Sequence, residues 1–354
     1  MVLIPTEPVG SIPSPLALIE AVKTFNTGNF PESALEPLYS EAVRDTIREF
    51  EATGSPVITD GEQRKYHNFV SYCVHGLPNF APDGFKLQFV SHFRQFPRLT
   101  AGPFRYAVRA GRFLDEALGI ARLPVKQAVI SPSGLSLLYP AGEVAGYPRD
   151  RFIEDLLTEH ENEVRECLAK GAHSVQVDFT EGRLAQKLDP SGHLLASFVA
   201  MNNMALGRFD AMDRARIGVH TCPGGDCDST HSADADYSAL LPSLFELKAG
   251  NFFIALTRER DRPSVLAMIR DHLRPGQRAF VGVIDPLDPR VETPEEVRDR
   301  VLEAAKYIPL AQLGTTDDCG FAPFSDDTST SRETAFAKIR ARVAGTALAA
   351  RALG

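Results

Sequence analysis

The sequence lacks several features that would place it in a specialised class of protein. It has no tryptophan, no low-complexity segment and only five cysteines among 354 residues. No apolar run reaches the roughly 18 residues of a membrane-spanning helix, and the N-terminus lacks the basic flank and apolar core of a signal peptide. Five sparse cysteines are not the pattern of a disulfide framework. We therefore expect a soluble protein that remains in the reducing cytoplasm.

The charge balance argues against two classes of partner. The chain has 38 Lys and Arg against 46 Asp and Glu, which gives a net charge of −8, and it has no block of basic residues. This charge opposes the attraction to phosphate groups on which nucleic-acid and membrane-surface binding depend. We expect neither nucleic acid nor a membrane as a partner. The oligomeric state stays open, with a homo-oligomer among the alternatives.

Short apolar runs alternate with helical stretches along the chain. Most of the runs are apolar throughout, as in parallel strands that are buried on both faces. Eight such strands with helices between them predict an α/β fold of the (β/α)8 TIM-barrel type, formed as one domain by residues 1–354. The predicted strands are residues 8–11, 56–60, 126–131, 174–178, 217–220, 252–256, 280–284 and 312–316.

Other segments carry helix and hairpin signals. Residues 293–296 read Thr-Pro-Glu-Glu, which predicts a capped helix start. Residues 151–170 and 334–353 are also predicted as helices. The region 79–108 does not fit the alternation of strands and helices expected for a barrel. Its alternating apolar residues predict a hairpin inserted after the second strand. These residues are Phe85, Leu87 and Phe89.

Two potential metal ligands lie at the end of the fifth predicted strand. His220 and Cys222 are separated by one residue, so on an extended segment both side chains point to the same side. Cys319 follows the eighth predicted strand and can reach the same mouth of a barrel. Two thiolates and one imidazole suit Zn²⁺ and leave a position for substrate. The alternative is that His220 is a hydrogen-bonded barrel histidine and that both cysteines are inert.

The other cysteines and one histidine have less definite roles. Cys73 and Cys167 are interpreted as packing residues, since Cys167 lies on a regular predicted helix. Cys227 lies in a loop rich in glycine and aspartate and is either a fourth ligand or a bystander, with the bystander role favoured. His231 can approach the site from the same loop, but a solvated loop histidine is the favoured interpretation.

Polar side chains also follow other predicted strands. Glu62 and Asp178 come after apolar runs, where a carboxylate faces the barrel mouth and can hold an ammonium group or carry out acid–base chemistry. Either carboxylate can instead form a salt bridge or cap a helix. Ser11, preceded by Gly10, offers a hydroxyl and backbone N–H groups to a substrate carboxylate, although Gly-Ser is also an ordinary turn.

Five short motifs, each at the end of a predicted strand, resemble those of the cobalamin-independent methionine synthase family. The resemblance runs in register with the catalytic barrel of that family over nearly the whole chain. The chain is also similar to the epoxyalkane:coenzyme M transferases. The motifs are Val9-Gly10-Ser11-Ile12-Pro13, Asp60-Gly61-Glu62, Gln176-Val177-Asp178, His220-Thr221-Cys222 and Asp318-Cys319-Gly320.

The resemblance implies a role for each motif. It implies that Gly10 and Ser11 bind the carboxylate of an amino-acid thiol. It implies that Glu62 and Asp178 bind the amino group of that thiol, and Asp178 is also the candidate catalytic residue. The zinc ligands that it implies are His220, Cys222 and Cys319.

The chain departs from the family at three positions that would complete the site. The family's fourth zinc ligand, a glutamate after the sixth strand, has no counterpart in residues 253–257. Leu287 stands where the family has a histidine thought to assist methyl transfer. A tryptophan that helps to stack the folate ring in the family is absent. The departures leave the donor and the fourth ligand open.

The sequence therefore predicts a zinc-dependent transferase in methionine biosynthesis, which moves a methyl or other alkyl group to a small thiol such as homocysteine. The physical reason for zinc is that a free thiol, with a pKa of about 8.5, is mostly protonated at neutral pH. One alternative is alkylation or C–S lysis of another thiol without folate. The other is a non-catalytic zinc-binding protein.

Overall fold

The computed structural model describes residues 3–28, 30–235 and 237–354, in which short strands alternate with helices. The strands are β1 (Phe80–Ala81), β2 (Lys86–Gln88), β3 (Phe93–Gln95), β4 (Arg98–Leu99), β5 (Gln127–Ile130), β6 (Val175–Asp178), β7 (Ile217–Thr221), β8 (Gly225–Asp226), β9 (Ser229–Thr230), β10 (Asn251–Ile254), β11 (Arg278–Ile284) and β12 (Leu313–Asp317). Six of them form a parallel sheet in the order β12-β11-β10-β7-β6-β5.

Helices occupy most of the chain between the strands of this sheet. They are α1 (Leu16–Asn26), α2 (Leu35–Ala52), α3 (Gly111–Ile120), α4 (Pro132–Ser136), α5 (Arg149–Lys170), α6 (Glu181–Leu188), α7 (His193–Leu206), α8 (Ala211–Ala215), α9 (Tyr237–Leu244), α10 (Arg262–His272), α11 (Pro294–Ala304) and α12 (Arg332–Ala352). Among the described residues, no helix is both long enough and apolar enough to cross a membrane.

The parallel sheet follows from the composition of its strands. Every residue of β5, β6 and β7 is buried, including the polar residues Gln176, Asp178 and His220, as in parallel strands that are covered on both faces. These strands and β10, β11 and β12 coincide with six of the eight predicted strands. The predicted α/β class with a parallel sheet is therefore confirmed.

The first predicted strand, 8–11, is wrong as a regular strand. The N-terminal segment pairs with β12 at a single bridge between Thr6 and Thr315. Pro8 has no N–H with which to continue the ladder. The N–H of Val9 instead donates to the carboxylate of the last residue of β12, at 3.1 Å. A side chain thus replaces the backbone partner at this end of the sheet.

The second predicted strand, 56–60, is also wrong as a regular strand. It pairs with the residues before β5 at one bridge, between Ile58 and Val125. Beyond that bridge the segment turns towards the N-terminal segment, and the hydroxyl of Thr59 donates to the carbonyl of Gly10 at 2.8 Å. Side-chain hydrogen bonds of this kind hold the two segments together where a backbone ladder was expected.

The predicted helices are present, with shifted ends. The helix predicted at 151–170 is α5, which ends at Lys170 because Gly171 adopts a positive φ of 97°. The helix predicted at 334–353 is α12. At the start of α11 the hydroxyl of Thr293 accepts a hydrogen bond from the Glu296 N–H at 3.2 Å, and the Glu296 carboxylate accepts from the Thr293 N–H at 2.7 Å. This is the predicted capping box.

Three antiparallel strand pairs lie outside the main sheet. In residues 80–99 the β2–β3 hairpin lies between β1 and β4, which pair with each other, and after β7 the strands β8 and β9 form a second hairpin. The hairpins contact each other, since the guanidinium of Arg94 donates to the Asp226 carboxylate at 2.8 Å and the N–H of Val90 donates to the Ser229 hydroxyl at 3.1 Å. The β2–β3 hairpin is thereby held next to the chain that follows β7.

Candidate metal and thiol site

Two thiols and one imidazole meet at the carboxyl end of the sheet. His220 lies in β7, Cys222 follows β7 directly, and Cys319 lies two residues after β12. The two Sγ atoms are 3.0 Å apart, and the potential ligand atoms of the three residues all lie within 4.8 Å of one another. All three residues are buried. Their donor atoms can therefore converge on a single ion.

The two thiols differ in how readily they lose a proton. Burial raises the pKa of the Cys222 thiol well above its usual range, and the neighbouring sulfur adds to this effect. The hydrogen bond from Cys222 lowers the pKa of the Cys319 thiol and outweighs the effect of burial there. Cys319 is therefore the first of the pair to become a thiolate, the form that a metal requires.

A hydrogen bond to a carboxylate holds the ring of His220. Its Nδ1 lies 3.1 Å from Oδ1 of Asp178, which ends the neighbouring strand β6. Its Nε2 lies 3.4 Å from the carbonyl oxygen of Asp318, beside Cys319. Histidines that bind metals commonly donate one ring N–H to a carboxylate and use the other nitrogen as ligand. The ring of His220 is in this arrangement.

The donor set fits zinc, with three protein ligands and no carboxylate among them. Imidazole and thiolate are the ligands that Zn²⁺ prefers, and three of them leave an open position. Ala255, which follows β10, packs against both Cys222 and Cys319, so a methyl group stands beside the sulfurs. The carboxylate of Asp318 is engaged elsewhere, because it accepts from the Leu256 N–H at 2.8 Å. A three-residue site is the arrangement that these side chains support.

Gly224 shapes the turn that follows Cys222. Its φ is +71°, and a Cβ at this position would lie 1.8 Å from Nε2 of His231. His231 is only 4% exposed, so the expectation of a solvated loop histidine is wrong. Burial and the positive charge of Lys187 lower the pKa of His231 to about 3, which makes the imidazole neutral at neutral pH.

Cys227 lies away from the two site cysteines. Its backbone N–H donates to the Asp327 carboxylate at 2.9 Å, and its Sγ lies 3.5 Å from an oxygen of Asp226. His92 is also near this carboxylate, with Nε2 2.6 Å from Oδ2 of Asp226. Because Arg94 donates to both oxygens of Asp226, the carboxylate is already paired with a cation. Cys227 thus belongs to the contact between the hairpins.

Glu62 is paired with a lysine that the sequence analysis did not identify. Nζ of Lys65 donates to Oε2 of Glu62 at 2.9 Å, and both side chains are buried. The charges of Glu62 and Asp178 raise the pKa of Lys65 against the lowering effect of burial, so it is an ammonium. No periodic pattern marks this pair, because Glu62 and Lys65 lie in an irregular segment.

Glu62 also has an unusual backbone conformation. Its φ is +59°, in the left-handed region that side chains with a Cβ rarely adopt. Gly10 allows this side chain to approach the N-terminal segment, because a Cβ at Gly10 would lie 2.7 Å from Oε1 of Glu62. The predicted residues Gly10 and Glu62 are therefore adjacent.

Ser11 lies beside the segment that carries Cys319. Its hydroxyl accepts a hydrogen bond from the N–H of Ala322 at 3.3 Å. A Cβ at Gly320 would lie 2.1 Å from Oγ of Ser11, so the glycine of the Asp-Cys-Gly motif makes room for the serine. The first and last motifs of the chain are thus in contact.

A cavity that is partly open to solvent joins most of these residues. The predicted site residues that line it are Ser11, Glu62, Asp178, His220 and Cys319. The aromatic residues that line it are Phe69, Phe85, Phe89, Phe96 and Phe324. Three of these rings come from residues 85–96, so the β2–β3 hairpin contributes much of the apolar wall. Cys222 and Gly10 are not among the described residues that line this cavity.

Glu181 is, after Lys65, the second residue near the site that the sequence analysis did not identify. It begins α6, lines the same cavity and is buried, and its Oε1 accepts from the hydroxyls of Ser131 and Ser133. Its Oε2 is buried and has no hydrogen-bond partner among the described residues. Burial raises the pKa of Glu181 to about 7. A glutamate in the first turn of a helix that follows a strand end was the signal that could have identified it.

Known proteins share this sequence pattern over most of the chain. The family described as "Cobalamin-independent synthase, Catalytic domain" matches residues 4–344. The chain is 23% identical over 321 residues to a 5-methyltetrahydropteroyltriglutamate–homocysteine methyltransferase of Nitratidesulfovibrio vulgaris, covering 90% of this chain but 39% of that relative. It is 24% identical over 322 residues to a methionine synthase of Sulfolobus acidocaldarius, covering 90% of this chain and 86% of that relative.

Solved structures share the fold at low sequence identity. A B12-independent methionine synthase from Shewanella sp. W3-18-1 in complex with selenomethionine matches with a TM-score of 0.78 at 18% identity, covering 100% of this chain and 99% of that one. A putative vitamin-B12-independent methionine synthase from Listeria monocytogenes matches with a TM-score of 0.71 at 21% identity, covering 99% of each chain. Given the family match over residues 4–344, the chain belongs to the family of cobalamin-independent synthase catalytic domains.

Proposed function

We propose that the protein is a zinc-dependent transferase that moves a methyl group to a small thiol such as homocysteine. The observation that carries this proposal is the convergence of His220, Cys222 and Cys319 within 4.8 Å, at the wall of a cavity that also contains Glu62 and Asp178. The reaction belongs to methionine biosynthesis, and we expect it in the cytoplasm.

In this proposal His220, Cys222 and Cys319 bind the metal, and Ala255 leaves room for the substrate. Zn²⁺ bound by His220, Cys222 and Cys319 supplies the lowered pKa that turns a substrate thiol into a nucleophilic thiolate. Ala255 offers no donor atom in the cluster that it forms with Cys222 and Cys319, so the sulfur of a substrate thiol would have room beside the three ligands. Once the thiol proton has left to solvent, that sulfur would form a bond to the methyl carbon, while the donor atom keeps the electron pair of the bond that breaks.

The polar residues of the cavity fit an amino-acid thiol. The hydrogen bonds of Asp178 use Oδ1, which leaves Oδ2 for a substrate ammonium group. Glu62 would share its charge between Lys65 and the same ammonium. Ser11, together with the N–H groups near Gly10, would hold the substrate carboxylate. Asp178 acts in this scheme by orienting both the substrate and the ring of His220.

The surrounding fold extends the observed sheet. We expect the segments at Thr6 and Ile58 to complete an eight-stranded barrel, since they flank β12 and β5 at the two edges of the sheet. In this arrangement the β2–β3 hairpin is an insertion after the second barrel segment. Residues 1–354 would then form one domain whose cavity is a single barrel mouth.

The proposal is tested with the full chain, one equivalent of zinc, homocysteine and a series of donors. The donors are 5-methyltetrahydropteroyltriglutamate, methylcobalamin, S-methyl compounds and epoxides. We expect methionine from at least one methyl donor, loss of activity with a chelator and recovery with added zinc. X-ray absorption at the zinc edge should gain one sulfur ligand when homocysteine is added. An unchanged sulfur count would contradict the proposal.

Alkylation of a different thiol is the second candidate, and two observations favour it. Ala255 stands beside the two sulfurs, and Leu287 contacts the turn at Gly225 where a polar group would assist transfer to or from a folate. The apolar wall of the cavity also accepts donors without a polar ring. Activity with epoxides or thioethers, and none with the methylated pterin, would select this candidate.

Glu181→Gln is expected to remove a pH dependence from donor binding. With a pKa of about 7, Glu181 is protonated below that pH and can donate a hydrogen bond from Oε2 to the donor, whereas the carboxylate above it cannot. The wild-type KM for the donor should therefore rise as the pH increases through about 7, by about fivefold for one lost hydrogen bond. Glutamine keeps an N–H at every pH, so the variant's KM should stay level.

The measurement is the donor KM from about one pH unit below to one above this pKa. Glu181→Ala serves as the control, since it should raise the KM at every pH. An inflection near pH 7 that persists in Glu181→Gln would assign the titration to a different group.

A further inference from the structure

A line of buried polar side chains runs from the start of β5 to His220. Nζ of Lys126 donates to Oε1 of Gln176 at 2.9 Å. Nε2 of Gln176 donates to Oδ1 of Asp178 at 2.7 Å, and the same oxygen lies 3.1 Å from Nδ1 of His220. None of the four residues is more than 4% exposed. Two of them, Lys126 and Gln176, have no role in the proposed reaction.

The chemistry of these groups fixes the direction of every hydrogen bond. A lysine ammonium only donates, so the amide of Gln176 must turn its oxygen to Lys126 and its NH₂ to Asp178. A carboxylate such as that of Asp178 only accepts. The ring nitrogen of His220 that faces it must therefore carry the proton. In the neutral ring Nε2 then keeps the lone pair that a metal ligand needs, and it makes no hydrogen bond to the Asp318 carbonyl oxygen 3.4 Å away.

The position of Lys126 needs an explanation beyond packing. Its Nζ lies 3.7 Å from Oε2 of Glu7 and 3.8 Å from the ring centroid of Phe253. Burial lowers the pKa of Lys126 to about 8, so at neutral pH most molecules carry a desolvated ammonium. An apolar side chain would fill the same space without the cost of burying a charge. Unlike an apolar residue, the lysine also orients an acceptor, the amide oxygen of Gln176.

We propose that Lys126 and Gln176 are positioning residues that set the tautomer and ring orientation of His220 through Asp178. The inference rests on the proposed zinc site and adds to it two residues that do not touch the metal. The competing explanation is that Lys126 only neutralises Glu7. In that case neither the tautomer nor the zinc affinity depends on it.

The first measurement is ¹⁵N NMR of the imidazoles in the full-length chain after zinc removal, at a pH where His220 is neutral. The resonances of His220 are assigned by their loss in His220→Gln. We expect the proton on Nδ1 in the wild type. A proton on Nε2 would overturn the inference without any variant being needed.

The second measurement is zinc affinity by competition with a chromophoric chelator. Gln176→Glu keeps the size and the acceptor for Lys126 but has no N–H for Asp178, and it should weaken zinc binding about 10- to 100-fold. Lys126→Met should cause a smaller loss of about threefold to tenfold, because it acts one residue further away. Unchanged affinity in both variants would overturn the inference.

Lys338→Met is the matched control. Lys338 is a buried lysine on α12 that donates to Glu292 at 2.9 Å and to the carbonyl of Arg290, neither of which belongs to the line of side chains that ends at His220. We expect it to lower stability and to leave zinc affinity unchanged. An equal loss of affinity in this variant would mean that general destabilisation, and not orientation of His220, is the cause. Failure of the wild type to bind zinc would instead contradict the proposed function.

Discussion

Cys319→Ala should abolish stoichiometric zinc binding and thiol-dependent transfer. Its Sγ is 3.0 Å from the Cys222 sulfur, and it is the sulfur of the pair that loses its proton more readily. The variant keeps one thiol and one imidazole, which is one ligand fewer than a catalytic zinc site uses. We expect the zinc affinity to fall by more than roughly 100-fold, which is the largest loss typical of removing a residue that only hydrogen-bonds to a metal ligand. Metal analysis after gel filtration and the homocysteine assay measure both effects.

Cys227→Ala is the control for that experiment. Cys227 is also a free cysteine, but it lies in the contact between the hairpins, where its sulfur is near Asp226 and Arg94. It should retain full zinc content and activity. The assignment of ligands fails if Cys319→Ala keeps one zinc per chain, or if Cys227→Ala loses it.

Arg342→Met is expected to destabilise the protein by about 3–5 kcal/mol, as removal of one partner from a buried ion pair does. Arg342 on α12 and Asp317 at the end of β12 are both almost completely buried, and Nη1 donates to Oδ1 at 2.6 Å. The same guanidinium donates to the carbonyl of Glu7 at 3.0 Å and to the hydroxyl of Ser55 at 3.3 Å. It therefore ties the final helix, β12 and both irregular N-terminal segments together.

The free energy of unfolding from urea titrations measures this effect. Arg340→Met is the matched control on the same helix, because the Arg340–Glu49 pair is about half exposed and should cost less than about 1 kcal/mol. Combining Arg342→Met with Asp317→Asn should recover part of the loss, since no unpaired carboxylate then remains. Equal losses in the Arg342 and Arg340 variants would contradict a special role for the buried pair.

Several features could be predicted because they depend on residues close together in the chain. The capping box at Thr293, the C-terminal glycine of α5 and the apolar runs of β5, β6 and β7 all follow from local spacing. The pairing of His220 with Cys222 also follows from the two-residue period of a strand. The position of Cys319 after the eighth predicted strand put it at the same mouth of the predicted barrel, the family resemblance implied the same, and the structure places the three residues together.

Other features depend on contacts between distant segments. Pro8 interrupts the ladder of the first predicted strand, and side chains such as Thr59 supply hydrogen bonds that no hydrophobic pattern reveals. The burial of His231 depends on the turn at Gly224, and the role of Glu181 depends on hydroxyls 48 and 50 residues earlier in the chain.

The absence of tryptophan and the small number of cysteines have a limited but definite meaning. By itself the sequence determined the α/β class, the capping box of α11 and the C-terminal glycine of α5, since these depend on local periods and residue chemistry. It also determined that no tryptophan can line the cavity, whose aromatic wall is built from phenylalanines. Only the tertiary structure decided which buried polar side chains are paired, as in Lys65 with Glu62 and Lys126 with Gln176. The physical reason is that the first pairing depends on how an irregular segment folds and the second on the register of two neighbouring strands, and no local pattern reveals either.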